Sequence, residues 1–278
     1  MRIVSICPSN TEIIHYLGAK DLLVGVDDFS DFPPDYADLP RLGPDLSIRI
    51  DLVEELQPDL VIASLSVPGM EKNIQQLEEK GIPHITLNPK SWNDILEDVL
   101  LVGSYIDRLP EAQKLVAHLN QTIETIRSHM PSPQSIPRIY WEWWPKPIFT
   151  PGQGNWLTQV CTLVGSYNIF ADYPQESVQT NWLEVVKRNP DLVMVVWTGI
   201  EKHRIKKDMF TTRPDWQNTP LADPNLIHIC EEGWFCRPSP RLLVGIKHLA
   251  HVLAPSHFEP ATEDLWQDPR IQRTPYPK

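Results

Sequence analysis

Apolar positions along the chain fall into two alternating rhythms. Short continuous apolar runs, as in residues 60–63 and 192–196, suit buried parallel strands, and the segments between them carry apolar residues at helical spacing. The pattern is duplicated. Residues 51–63 read DLVEELQPDLVIA and residues 183–196 read LEVVKRNPDLVMVV: an amphipathic helix, a Pro-Asp stop, then a strand. Upstream of the first copy, a strand leads through Pro8-Ser9-Asn10 into the helical stretch TEIIHYLGA. Upstream of the second, a strand near Arg138–Trp141 leads through Thr150-Pro151-Gly152 into NWLTQVCTLVGS. Both helices run out near a glycine, Gly18 or Gly165, as C-terminal stops prefer. Strands alternating with helices predict α/β lobes with parallel sheets. Residues 110–130 contain no internal Gly or Pro and place Leu115, Val116, Leu119, Ile123 and Ile126 at helical spacing. The predicted architecture is two α/β lobes joined by one long helix: lobe 1–108, helix 109–130, lobe 131–255 closed by a helix over Arg241–Leu253, and an irregular tail 256–278. A helical strut of this kind implies a cleft with limited hinge motion.

Composition narrows the function. The 278 residues hold 25 Lys and Arg against 36 Asp and Glu, a net charge of −11 that repels nucleic acid and anionic membranes. The 28 prolines are about twice the ordinary ~5% usage and cluster at predicted element ends. Four cysteines, Cys7, Cys161, Cys230 and Cys236, lack the spacing of a disulfide scaffold or a zinc knuckle and predict free buried thiols. The opening Met1-Arg2-Ile3-Val4-Ser5 already reads as a strand, with neither a basic n-region nor an apolar h-region. That predicts a cytoplasmic location for the chain as written, or a periplasmic or cell-surface one if a leader was removed. No direct membrane insertion and a monomeric state are expected.

Ligands of open parallel sheets bind beyond the C-terminal strand ends. Four loop groups fall there. Cys7–Glu12 opens a helix whose positive end favours an anion, with Ser9 and Glu12 spaced as a capping box. Phe29–Pro34 offers Phe29 and Phe32 as an apolar wall, and Ser64–Gly69 contributes Ser66. The densest group is Tyr140–Pro147, with Trp141, Trp143 and Trp144 around Glu142; eight of the ten tryptophans lie between Trp141 and Trp234. Trp143 or Trp144 is either a ligand platform or part of a core strand. Trp197 and the stretch Gly233–Arg237 follow later strands. Arg237 pairs either with a ligand carboxylate, amide or phosphate, or with a structural acid. His248 and His251, three apart on a helix, are expected to face solvent rather than a metal. No nucleophile elbow, P-loop or H-E-x-x-H motif is present, and Glu142 is a lone acid with no base beside it.

At these residues the chain resembles the substrate-binding proteins of bacterial cobalamin and iron–siderophore ABC importers, the cobalamin binders most of all. The matching stretches are SICPSNTEII from Ser5, DFSDFPPD from Asp28, LQPDLVIA from Leu56, PIFTPGQGNWL from Pro147, GSYNIF from Gly165, NPDLV from Asn189 and WFCRPSPRL from Trp234. The resemblance implies the fold of class III periplasmic binding proteins, no catalytic activity and no catalytic cofactor. It implies cobalamin or a related corrinoid as ligand, held by Pro8, Phe29 or Phe32, Trp143 or Trp144, Trp197, Trp234, Phe235 and Arg237; Ser9, Ser66 and Glu142 join them from the loop argument. It also implies docking on an ABC permease through one carboxylate per lobe, Glu71 and, from the repeat, Glu201. Two alternatives stay open: a ferric siderophore or haem carrier, and a cytosolic enzyme acting on a corrinoid or nucleotide-like ligand with Glu142 as acid.

Overall fold

The computed structural model describes residues 1–132, 135–214, 216–266 and 268–270. They form two compact units, Met1–Leu119 with Arg237–Pro240, and Asn120–Cys236 with the chain from Arg241 onward. The boundary falls inside the predicted long helix rather than at its ends.

The first unit runs β1 (Ile3–Ser5), α1 (Pro8–Tyr16), β2 (Leu23–Val26), α2 (Ile50–Glu55), β3 (Leu60–Ser64), α3 (Glu71–Glu79), β4 (His84–Leu87) and α4 (Trp92–Tyr105). Its sheet is parallel, with order β2-β1-β3-β4. α5 (Leu109–His129) follows, burying Leu115, Leu119, Ile123 and Ile126 at the predicted spacing.

In the second unit the order is β5 (Arg138–Glu142), β6 (Trp144–Pro145), β7 (Ile148–Pro151), α6 (Trp156–Leu163), β8 (Tyr167–Asn168), β9 (Ser177–Thr180), α7 (Trp182–Lys187), β10 (Leu192–Val195), α8 (Asp208–Thr211), β11 (Ile227–Ile229) and α9 (Leu242–Leu253). Its parallel sheet reads β8-β5-β10-β11 when taken in reverse, the topology of the first unit strand for strand. The strands are short and apolar because both sheet faces are covered. Val61 and Ala63 belong to one core and Val193 and Val195 to the other.

The duplication extends to single atoms. Arg2 donates its backbone N–H to Asp59 Oδ2 at 2.6 Å and its guanidinium to the Leu56 carbonyl. Arg138 donates its N–H to Asp191 Oδ2 at 2.7 Å and its guanidinium to the Asn189 and Arg188 carbonyls. Gln57 and Asn189, each just before Pro-Asp, both have φ 47°. The Pro-Asp stop is therefore a clasp: a left-handed residue turns the chain, and the Asp caps the start of the neighbouring strand.

Two features differ from the sequence reading. β6, β7 and β9 form a separate antiparallel sheet that an all-parallel expectation omits. The described part of the tail, 255–266 and 268–270, is irregular apart from a bridge between Phe258 and Arg270, yet it is packed: Phe258 and Leu265 are buried, and Lys247 Nζ donates to the Leu265 carbonyl at 2.7 Å. The rest of the tail, 271–278, and Pro133 of the turn after α5 lie outside the described residues.

One buried carboxyl works against the fold. α4 starts with a capping box between Ser91 and Asp94, but one turn on, Asp98 Oδ2 is buried without a hydrogen-bond partner. Burial, reinforced by Asp94 and Glu97, pushes its pKa up to about 7. A raised carboxyl pKa favours the protonated folded state, so Asp98 loses stability as pH rises from its unfolded value near 4 through 7. Asp98→Asn is expected to stabilise the protein by about 0.5–2 kcal/mol at pH 8. In urea titrations that gain should shrink toward pH 5; an equal gain at both pH values would refute the assignment.

Candidate functional site

In each unit the loops singled out from the sequence leave the carboxyl ends of that unit's own parallel strands. Three such loops belong to the first unit. β1 passes directly into α1, whose N-cap is Cys7 with Pro8 at the first helical position. The expected Ser9–Glu12 capping box does not form. Proline supplies the helical φ without an N–H to satisfy, so the helix starts earlier. Glu12 is buried and accepts from Ser239 Oγ at 2.5 Å and Arg237 Nη1 at 3.1 Å. Pro8 and Ser9 are both buried, with Ser9 Oγ 3.3 Å from Cys7 Sγ. These two positions therefore frame the loop and present no open surface.

After β2, Phe29 is 51% exposed, whereas Phe32 packs edge-on against His15 with centroids 5.6 Å apart. After β3, Ser66 is half-buried, with its hydroxyl accepting from Ser64 Oγ at 2.9 Å. Between these loops lies a hydroxyl network that the sequence reading missed. Thr11 Oγ1 donates to Ser5 Oγ at 2.8 Å and lies 2.7 Å from Ser30 Oγ, which donates to Asp27 Oδ1 at 2.5 Å. Burial raises the Asp27 carboxyl to about 6, against the lowering effect of bonds from Ser30 and the Phe29 N–H. The Asp45 carboxyl is raised too, again by burial. Arg237 lowers both and pairs directly with Asp31 at 2.6 Å. Of the two readings of Arg237, the structural pairing is thus occupied.

The second unit carries the indoles. Trp141 is core: its Nε1 donates to Cys161 Sγ at 3.1 Å and its ring lies 5.1 Å from Phe235. Trp143 is the bend between β5 and β6 and Trp144 opens the β6–β7 hairpin, so neither belongs to a core strand. Trp143 is half-buried, with its N–H bonded to the Phe149 carbonyl, and Trp144 is 41% exposed. Trp234 is half-buried and its Nε1 donates to Glu263 Oε1 at 2.7 Å, with Arg241 holding the same carboxylate. The irregular tail thus orients a predicted ligand residue.

Glu142, Phe235 and Trp197 are buried rather than open to a ligand. Glu142 is fully enclosed: a bidentate Arg213 at 2.6 and 2.7 Å, Tyr140 Oη at 2.8 Å and Trp197 Nε1 at 3.1 Å all donate to its carboxylate. With both oxygens taken by these donors and no exposed surface, Glu142 reaches neither a ligand nor a substrate, which removes the acid of the enzyme reading. Phe235 has no exposed surface, because it fills the space over Gly245, where an added Cβ would stand 2.4 Å from the Trp234 carbonyl oxygen. Trp197 is buried beside Glu142 and Phe210. His248 does not face solvent freely; it packs on Trp234 at 5.4 Å, and burial pushes its pKa down to about 4.

The carboxylates expected to dock a permease sit at element starts. Glu71 is exposed at the first turn of α3, where its own N–H and that of Gly69 hold its carboxyl below the usual range. Glu201 is exposed and paired with Arg204 at 3.2 Å. Among the described residues no three His, Cys, Asp or Glu side chains are grouped to hold a metal, and no helix is long and apolar enough to cross a membrane.

Two α/β units of repeated topology, with aromatic loops at their carboxyl edges, define a class of binding protein. The chain belongs to the periplasmic binding protein family, whose model matches residues 3–225. This is a family of non-catalytic substrate-binding proteins of ABC importers. Among its relatives, the vitamin B12-binding protein of Vibrio cholerae is 28% identical over 257 residues, covering 91% of this chain and 88% of that protein. The crystal structure of periplasmic vitamin B12 binding protein BtuF of Vibrio cholerae matches with a TM-score of 0.76 and 26% identity, over 92% of this chain and 97% of that one. The fold is shared more widely. The periplasmic heme binding protein HutB of Vibrio cholerae matches with a TM-score of 0.79 at 22% identity, over 92% of this chain and 99% of its own.

Proposed function

We propose that the chain binds cobalamin or a closely related corrinoid and delivers it to an ABC permease. The observation that carries this reading is the likeness to the vitamin B12-binding protein of Vibrio cholerae over nine-tenths of the chain. The chemistry of the loops supports it. A corrin is a broad, mostly apolar plate fringed with amides and carrying one phosphate. Exposed Phe29 and Trp144, with the half-buried rings of Phe32, Trp143 and Trp234, supply flat apolar surface. Covering such a plate gains roughly 25 cal/mol per Å² of apolar area, reduced by the cost of immobilising the ligand. Ser66 supplies a polar contact for the fringe. The cobalt arrives already coordinated, so no protein ligand to it is needed. Glu71 and Glu201 are the proposed contacts for the permease.

Titration of the protein with cyanocobalamin should quench tryptophan fluorescence to a one-to-one endpoint. Trp144→Ala and Trp234→Ala are each expected to weaken binding about tenfold, and the pair about a hundredfold. Saturable quenching by haemin or a ferric siderophore, with none by cyanocobalamin, would replace the corrinoid reading.

A further inference from the structure

The second unit also carries a cavity of about 460 Å³ that the corrinoid reading does not use. Its ionisable lining residues are Lys202, His203, Lys206, Lys207, His228 and His248, and all are basic. They converge from separate elements: a helical turn at Lys202–Arg204, the segment leading into α8, the edge strand β11 and the helix α9. In a chain of net charge −11, a cavity without a lining acid is a local reversal of sign.

The charge there is only partly matched. Lys202 pairs with Glu231 at 3.2 Å, and His203 Nε2 lies 3.5 Å from the Glu201 carboxylate. Lys206 Nζ donates to the His203 carbonyl at 2.9 Å, and Lys207 Nζ to the Pro224 carbonyl at 2.7 Å. Each of those bonds uses one of three ammonium protons and brings no negative charge. Two ammonium groups therefore stand without a carboxylate among the described residues. The histidines register the same field. Burial and then Lys207 lower the pKa of His228; burial, then Lys202, His228 and His251, lower that of His248.

We infer that this cavity is a binding site for a small phosphate-class anion carrying at least two charges: inorganic phosphate, pyrophosphate or a phosphate monoester. Two unmatched ammonium charges balance a dianion, and lysine heads suit phosphate as compact point charges. The imidazoles of His228 and His248 add neutral N–H donors. The volume exceeds that of a phosphate group, and Ile205, Ile227 and Ile229 complete the lining with apolar surface for the organic part of an ester.

The test is calorimetric titration of the full chain with pyrophosphate at low ionic strength, with no corrinoid present. Saturable one-to-one binding is expected, together with upward shifts of the His228 and His248 pKa values in proton NMR. The double substitution Lys206→Gln/Lys207→Gln should weaken binding at least about tenfold, with melting temperature and cyanocobalamin binding unchanged. Lys207→Arg should retain most of the affinity. The inference is overturned by a lack of saturation up to about 10 mM pyrophosphate, by a double variant that binds like the parent, or by citrate binding as tightly as pyrophosphate. Failure here leaves the corrinoid reading intact, because that titration uses a different ligand and different side chains.

Discussion

Arg213→Ala is expected to destabilise the protein by about 3–5 kcal/mol, measured by urea denaturation followed by tryptophan fluorescence. The guanidinium makes a bidentate pair with the fully buried Glu142 carboxylate and also lies over the rings of Phe210, at 4.4 Å, and Trp182, at 5.3 Å. Alanine leaves a charge enclosed with only neutral donors, Tyr140 and Trp197, to hold it. Desolvating a carboxylate costs several kcal/mol, and two neutral hydrogen bonds offset only part of that. Replacing both partners, as in Glu142→Leu/Arg213→Leu, should recover much of the loss, because the double change removes the uncompensated charge. A loss below about 1 kcal/mol for Arg213→Ala would make the pair no better than a surface contact and refute its structural role.

Arg237→Ala is expected to cost nearly as much, about 3 kcal/mol at pH 8, and distinctly less at pH 5. Arg237 faces the buried Glu12 carboxylate and counters the upward pressure on Asp27 and Asp45. Asp27 already has a folded pKa near 6, above its unfolded value, so its carboxyl stabilises the protein in the protonated form and loses that contribution as pH rises through 6. Removing the cation moves that window upward and deepens the deficit on the alkaline side. Arg237→Lys should restore part of the stability. A loss identical at pH 5 and pH 8 would show that the acids around Arg237 do not depend on its charge.

The architecture was legible because it is local and repeated. Pro58-Asp59 and Pro190-Asp191 each end a helix and start a strand within a few residues, and the apolar runs that follow are unambiguous. The β6–β7–β9 sheet was not. Its strands are short, interrupted by Pro145 and Pro147, and β9 joins from beyond α6. The site was legible as loops but not as contacts. Periodicity places Glu142 at a strand end; nothing in it announces Arg213, 71 residues away, or that Tyr140 and Trp197 turn inward on the same carboxylate. Likewise Ser9 and Glu12 have the spacing of a cap, but Glu12 is drawn instead to a segment 225 residues later. At Glu12 the local pattern lost to a long-range charge pair, which is stronger than one capping hydrogen bond.

The distribution of thiols has a practical outcome. Burial drives Cys7 up to about 11 and Cys161 and Cys230 up to about 12, so at neutral pH these three carry almost no nucleophilic thiolate. Cys236 alone among the four is half-buried rather than buried, two residues from Trp234. A maleimide dye thus has a single favoured address on the wild-type polypeptide, adjacent to an aromatic loop, and the molecule lends itself to a reagentless optical sensor without any engineered cysteine.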